Sequence, residues 1–162
     1  MTSLVRSLAF AAPASFTYLV LIPLACGYLD RKFKIGEFVP RGLQLPGALL
    51  LLAGAAVAIW TFFLFAFVGH GTPNPLAPPQ HLVQVGPYRY SRNPMMLGGW
   101  IAGFGLGLLL RSPAFLLFCC VVVFAGAAYV VVIEEPSLVR RFGAAYSDYC
   151  RSTPRWLGRA GS

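Results

Sequence analysis

The sequence predicts an all-α protein, a polytopic membrane bundle of about four transmembrane helices with a C-terminal amphipathic helix. Three observations predict it. Hydrophobic residues make up 57% of the 162-residue chain and charged residues only 11%, where a soluble domain carries about a quarter. Four apolar runs each approach the ~20 residues that cross a hydrocarbon core. The charged side chains fall between those runs and leave their centres free. The length reads as a single domain, 1–162, with no internal repeat and no linker.

The first span is expected from about residue 8 to 28. It follows Arg6 but is longer than the apolar core of a signal peptide and lacks a small-residue cleavage site. Asp30, Arg31, Lys32 and Lys34 end it. The second span is expected over about 46–68, followed by a Pro- and Gly-rich loop, 69–93. The third, about 94–110, meets the fourth, about 114–133, through the turn Arg111-Ser112-Pro113. So short a connection makes an antiparallel helical hairpin. In the remainder, Leu138, Phe142, Tyr146 and Tyr149 recur at steps of four, four and three, which is one helical face. Arg140, Arg141, Asp148 and Arg151 lie off it. This reads as an amphipathic helix on or under the bundle.

The formal charge is +8. Its basic residues sit in short loops and at the C-terminus, so the membrane bilayer and its anionic headgroups are the expected partner. No basic groove or nucleic-acid module is present. Arg6, Arg89, Arg92, Arg140, Arg141, Arg151, Arg155 and Arg159 share one side. They outnumber Arg31, Lys32, Lys34, Arg41 and Arg111 on the other. The positive-inside rule then puts both termini and the 69–93 loop in the cytoplasm, with a bacterial inner membrane as the expected location.

Chemistry concentrates in two segments. One is Gly86-Pro87-Tyr88-Arg89-Tyr90-Ser91-Arg92-Asn93-Pro94-Met95-Met96-Leu97-Gly98. The other begins at Glu134-Glu135-Pro136, at the foot of the last span. Polar residues at span ends, with clean spans between them, point to a site at the membrane–water boundary.

Taken in order, Gly71-Thr72-Pro73, Leu82-Val83, the 86–98 stretch, Glu134-Glu135-Pro136 and Phe142-Gly143-x-x-Tyr146-x-x-Tyr149 resemble the isoprenylcysteine carboxyl methyltransferase family. That family is similar in turn to the phospholipid N-methyltransferases. The resemblance covers about residues 69–157. It implies an integral membrane enzyme using S-adenosylmethionine to methylate a hydrophobic or lipid acceptor. It also implies a cofactor pocket built from the loop before the third span, the ends of the last two spans and the C-terminal segment, that is, 69–93 and 134–157. Two positions depart from the family's Arg-His-Pro-x-Tyr pattern. Asn93 stands in the His place and Met96 in the Tyr place.

The candidate catalytic residues are Arg92, Asn93, Glu134 and Glu135. Candidate cofactor-binding residues add Gly86, Pro87, Tyr88, Arg89 and Tyr90, then Pro94 and Gly98, and finally Tyr146, Tyr149 and Arg155. The chemistry suits the ligand. Glu134 or Glu135 would meet an ammonium or ribose hydroxyls. Arg89, Arg92 or Arg155 would take a carboxylate as a bidentate pair. Tyr88, Tyr90, Tyr146 or Tyr149 would stack on adenine or face a sulfonium. Methyl transfer is an in-line displacement that needs little acid–base help, so the absence of a triad motif does not weigh against it.

Plainer roles compete. Glu134 and Glu135 suit a helix N-terminus by charge, and Pro136 suits its first turn. Gly99, Gly103 and Gly107 recur every four residues, a packing stripe, with Gly105 on another face. His70 and His81 lack partners for a metal site, and no metal is expected. Cys26, Cys119, Cys120 and Cys150 show no C-x-x-C spacing, and no disulfide is expected. A small multidrug-type transporter would need an ionisable residue within a span, which this chain lacks. A membrane reductase would need a nicotinamide site, and no dinucleotide fingerprint is present. A non-catalytic scaffold would leave the Arg, Tyr and Glu cluster unexplained.

Overall fold

A computed structural model describes residues 17–35, 38–69 and 80–157. The start of the first span, Arg6, His70, the Gly71-Thr72-Pro73 motif, most of the proline-rich loop and Arg159 lie outside the described residues. The chain is an all-α membrane helix bundle. A π-helical turn, Thr17–Leu21, leads into α1, Ile22–Phe33. A 3-10 turn, Arg41–Leu43, opens α2, Gln44–Phe67. A second 3-10 turn, Gly86–Arg89, precedes α3, Pro94–Leu109. Then come α4, Pro113–Tyr129, a π-helical turn, Val130–Glu134, α5, Glu135–Phe142, and α6, Ala144–Ser152.

Two helical rods, Arg41–Phe67 and Pro113–Phe142, are long and apolar enough to cross a membrane. Only 11% of the most apolar stretch of each is buried, whereas the core helix of a soluble protein would be mostly covered. Leu49, Leu52, Phe63, Leu117, Val121 and Phe124 all face outward, as lipid contact requires. α3 is shorter, at 16 residues, or about 24 Å of rise.

α2 and α3 form the tightest pair, and glycine explains why. A methyl on Gly47 would lie 2.8 Å from the Gly105 carbonyl, and one on Gly98 would lie 2.8 Å from the Gly54 carbonyl. Gly54 meets Ala102 in the same way. The seam therefore runs through Gly98, Ala102 and Gly105, with the helices antiparallel and backbone against backbone. The expected packing stripe holds at Gly103 and Gly107 and fails at Gly99. Gly99 has open space where a side chain would go, while Gly103 and Gly107 pack on the opposite side, against Tyr18, Cys119 and Leu116. Gln44 Nε2 closes the far end by donating to the Leu109 carbonyl at 3.1 Å.

α1 and α4 meet at that same end. Ser112 caps α4 by accepting from Phe115 N at 3.1 Å, and its hydroxyl donates to Asp30. The other Asp30 oxygen accepts from Ala114 N at 3.1 Å. Asp30 is buried. The first span was expected to stop near Tyr28, but α1 runs on through Asp30 to Phe33, because that carboxylate has an inward partner. Cys26, Phe115 and Cys119 form the adjoining core, and the four cysteines are free thiols.

Two boundaries near the C-terminus differ from expectation. Helix does not stop at Ile133, where the apolar run ends. Helix continues without a break from Pro113 to Phe142, because the π-helical turn absorbs one extra residue and the charged segment grows from the same rod. The helical face expected from Leu138 to Tyr149 is broken at Gly143, whose φ of 55° and ψ of −126° turn the chain between α5 and α6. A side chain is strained in that conformation and glycine is not.

Candidate functional site

The site lies where the foot of α3, the head of α5 and the segment after α6 converge. Gly86, at φ 60°, makes the turn that starts the 86–93 segment and sits against Trp60 and Leu64 of α2. Pro87 follows at the second position of the 3-10 turn. Tyr88 is buried, with its ring edge-on to Phe65 at 5.5 Å. Tyr149, also buried, donates its hydroxyl to the Tyr88 carbonyl at 2.6 Å and to the Ser91 carbonyl at 3.4 Å. Burial holds both phenols well above their ordinary pKa, so they remain neutral donors. Arg89 and Tyr90 face outward.

Glu135 is the centre. Arg92 Nη1 donates to its Oε1 at 2.8 Å. Arg155 grips it bidentately, Nε to Oε1 at 2.8 Å and Nη2 to Oε2 at 2.9 Å. The Glu135 hydrogen bonds hold the Arg155 guanidinium above its ordinary pKa. Arg92 also donates to Cys150 Sγ at 2.8 Å and is hydrogen-bonded to Tyr146, whose phenol burial pushes up. The Arg92 side chain is only 9% exposed, against 35% for Arg155. Its Nε is buried with no acceptor among the described residues. Such a donor costs about 1–3 kcal/mol unless an oxygen is supplied.

The C-terminal segment, Thr153 to Leu157, is tied down at several points. Arg92 N donates to the Pro154 carbonyl at 2.9 Å. Ser91 Oγ and Asn93 Nδ2 both donate to the Arg155 carbonyl, at 3.2 and 3.0 Å. Trp156 packs on Trp100 of α3, with ring centroids 4.7 Å apart.

The sequence-derived residues divide accordingly. Arg92, Asn93, Glu135, Tyr146, Tyr149 and Arg155 come together. Glu134 stands beside them without a hydrogen bond or ion pair among the described residues. Pro94 opens α3, and Gly98 faces α2 rather than the cluster. Met96 lies one turn along α3, its Cε beside Gly126 of α4. Sequence reasoning missed Ser91, Cys150, Pro154 and the two tryptophans. Cys150 follows directly on Tyr149 and Trp156 on Arg155, and that adjacency was the available signal.

A family model described as phospholipid methyltransferase matches residues 43–145. The chain belongs to the phospholipid methyltransferase family. Membership implies methyl-transfer activity. The matched segment holds Arg92, Asn93, Glu134 and Glu135, while Tyr146, Tyr149 and Arg155 of this phospholipid methyltransferase family member follow it. No curated protein and no solved structure matches the chain.

Proposed function

We propose that this protein transfers a methyl group from S-adenosylmethionine to a hydrophobic or membrane-embedded acceptor at the cytoplasmic membrane interface. The acceptor group is a carboxylate, an amine or a thiol. The observation that carries the reading is the Arg92–Glu135–Arg155 cluster, drawn from three segments to one end of the bundle. The residues fit the cofactor's amino-acid end. Arg92 Nε is a buried donor lacking an oxygen, which a carboxylate would provide. Glu134 and Glu135 supply the opposite charge.

When bound, the cofactor supplies an electrophilic methyl group on a sulfonium. Arg92 holds an oxyanion in a site that burial keeps dry. Glu134, without a hydrogen bond among the described residues, holds ribose hydroxyls or takes the proton that an amine acceptor must lose. Asn93 and Ser91 hold the C-terminal segment beside the cluster. Fixing both reactants in line is worth about 7–11 kcal/mol of barrier, so binding groups are the machinery this reaction needs. About 33 Å of helix rise separates Pro113 from Glu135. That length supports a cluster at the edge of a ~30 Å hydrocarbon core, where a lipid-dissolved acceptor meets a water-borne cofactor.

The test is binding of S-adenosylmethionine and S-adenosylhomocysteine by calorimetry on the monodisperse protein in detergent. Micromolar affinity for both is expected, and absence of binding overturns the reading. Reporter fusions should place the C-terminus in the cytoplasm of a bacterial host, and the opposite orientation would separate the site from its cofactor.

A further inference from the structure

We propose that the end of the bundle opposite Glu135 seats the anionic headgroup of a phospholipid, with Lys34, Arg41 and Arg111 around its phosphate. The proposal stands apart from the cofactor reading and concerns the other membrane face.

Three turns meet there. Asp30, in the last turn of α1, accepts from Ser112 and from Ala114 N. Gln44, at the start of α2, donates to the Leu109 carbonyl. Arg111 Nε donates to the Val39 carbonyl at 2.8 Å. These ties bring the segments that carry Lys34, Arg41 and Arg111 to one place. The nearby carboxylate is already engaged, because Asp30 is buried and both its oxygens are taken. In the sequence, Arg31, Lys32, Lys34, Arg41 and Arg111 outnumber Asp30 and Glu37, and Glu37 lies outside the described residues. The ion pairs among the described residues are Arg92–Glu135, Arg155–Glu135 and Arg151–Asp148, all toward the other end. Arg111 keeps both Nη donors without a bond among the described residues, a fork that suits a phosphate.

The backbone singles out the same cations. Among the described residues, positive φ falls on glycine toward the Glu135 end, at Gly86 and Gly143. At this end it falls on Lys34, φ 55°, and Arg111, φ 54°. Lys34 stands just past α1, where glycine is the favoured residue. A side chain is disfavoured in that conformation. The Lys34 ammonium is exposed and has no hydrogen bond or ion pair among the described residues, so it serves a partner outside the fold.

Depth and apolar neighbours make that partner a lipid. The rod Arg41–Phe67 rises about 40 Å, against a ~30 Å hydrocarbon core, which sets Arg41 at headgroup level. Phe38 is 79% exposed, Phe33 is exposed too, and Lys32 Nζ lies 5.8 Å from the Phe33 ring centroid. Exposed rings interleaved with cations suit anionic headgroups above acyl chains.

The test is the melting temperature of the intact protein in nanodiscs of phosphatidylcholine, alone or mixed with phosphatidylglycerol. The anionic lipid should raise it by several degrees. In phosphatidylcholine, Lys34→Gly should melt above the unchanged protein through relief of backbone strain, yet it should lose at least half of the phosphatidylglycerol increment. Arg41→Gln should lose a similar share without that gain. Arg140→Gln removes the same charge from the other end and should keep the increment. An equal loss in Arg140→Gln would mean diffuse attraction to a charged surface, and overturns the proposal. An increment that is absent, or that Lys34→Gly and Arg41→Gln both keep, overturns it as well. Inorganic phosphate added to phosphatidylcholine discs should give no rise. A rise matching the lipid's would make the ligand a free anion and also overturns the proposal.

Discussion

Ser112 donates a hydrogen bond to Asp30 across 82 residues of sequence, tying the end of α1 to the start of α4. The Asp30 carboxylate therefore serves as a second cap, also accepting from Ala114 N. This contact is at the opposite end of the bundle from Glu135. Asp30→Ala should lower stability by about 0.5–2 kcal/mol, the cost of a lost cap. Ligand affinity should not change. Thermal melts and binding on the same variant check both halves, and a selective loss of binding would contradict the separation.

The glycine seam gives an asymmetric prediction. Gly105→Ala presses on the Leu51 amide and Gly47 carbonyl, and Gly98→Ala on the Gly54 carbonyl. Backbone cannot step aside as a side chain does, so each should cost about 1–3 kcal/mol, as for an overpacked core. Gly99 has open space, and Gly99→Ala should stabilise by up to about 1 kcal/mol through helix propensity. Melting temperatures of the three variants decide it.

Arg92 and Arg155 share a carboxylate but should not be equivalent. Arg92→Ala removes the buried partner while Arg155 still holds Glu135, and should cost about 1.5–3 kcal/mol, the scale of a charged hydrogen bond. Arg155→Ala removes a partly solvated partner and should cost about 1 kcal/mol or less. Equal losses in a thermal-shift comparison would contradict the burial difference.

Tyr88 and Tyr149 predict an alkaline limit. Their folded pKa values are raised, so the folded state retains protons that the unfolded state releases. Their contribution is complete below the unfolded value of about 10 and is lost as pH rises above it. Melting temperature should fall beyond that pH, and Tyr88→Phe should make the fall shallower.

Much of this was legible in the chain, and the failures have physical causes. Clean apolar runs and turn residues predict α2 and α3 to within two residues, because length and composition alone decide what a bilayer accepts. The motifs mark the 86–98 stretch and Glu134-Glu135 as partners, and the structure adds that Arg92 meets Glu135. The packing stripe was misjudged at Gly99, because a four-residue glycine repeat does not say which face has a neighbour. Gly98 and Gly105 face α2, whereas Gly99 has none. Asp30 reads as a span-ending charge until Ser112, far away in sequence, supplies its partner. Gly143 breaks a helical face whose spacing is otherwise regular, since periodicity records side chains and not backbone torsions. Arg155 was one of three candidate arginines, and only the fold shows that it and Arg92 share Glu135 while Arg89 faces outward.

The π-helical turn at Val130–Glu134 works as a phase adjuster between two jobs on one rod. Upstream, Phe115 and Cys119 must keep the rotational setting that packs them against Tyr18 and α3. Downstream, Glu135 must point at Arg92. An unbroken α-helix advances about 100° per residue, so satisfying one requirement would fix the other. A wider turn absorbs a surplus residue, so both ends keep the aim they would have in an α-helix one residue shorter. The consequence is an unusual tolerance. Deleting one residue within 130–134 should convert the turn to α-helix while leaving both ends correctly aimed, whereas the same deletion within 116–120 should rotate Glu135 away from its arginines.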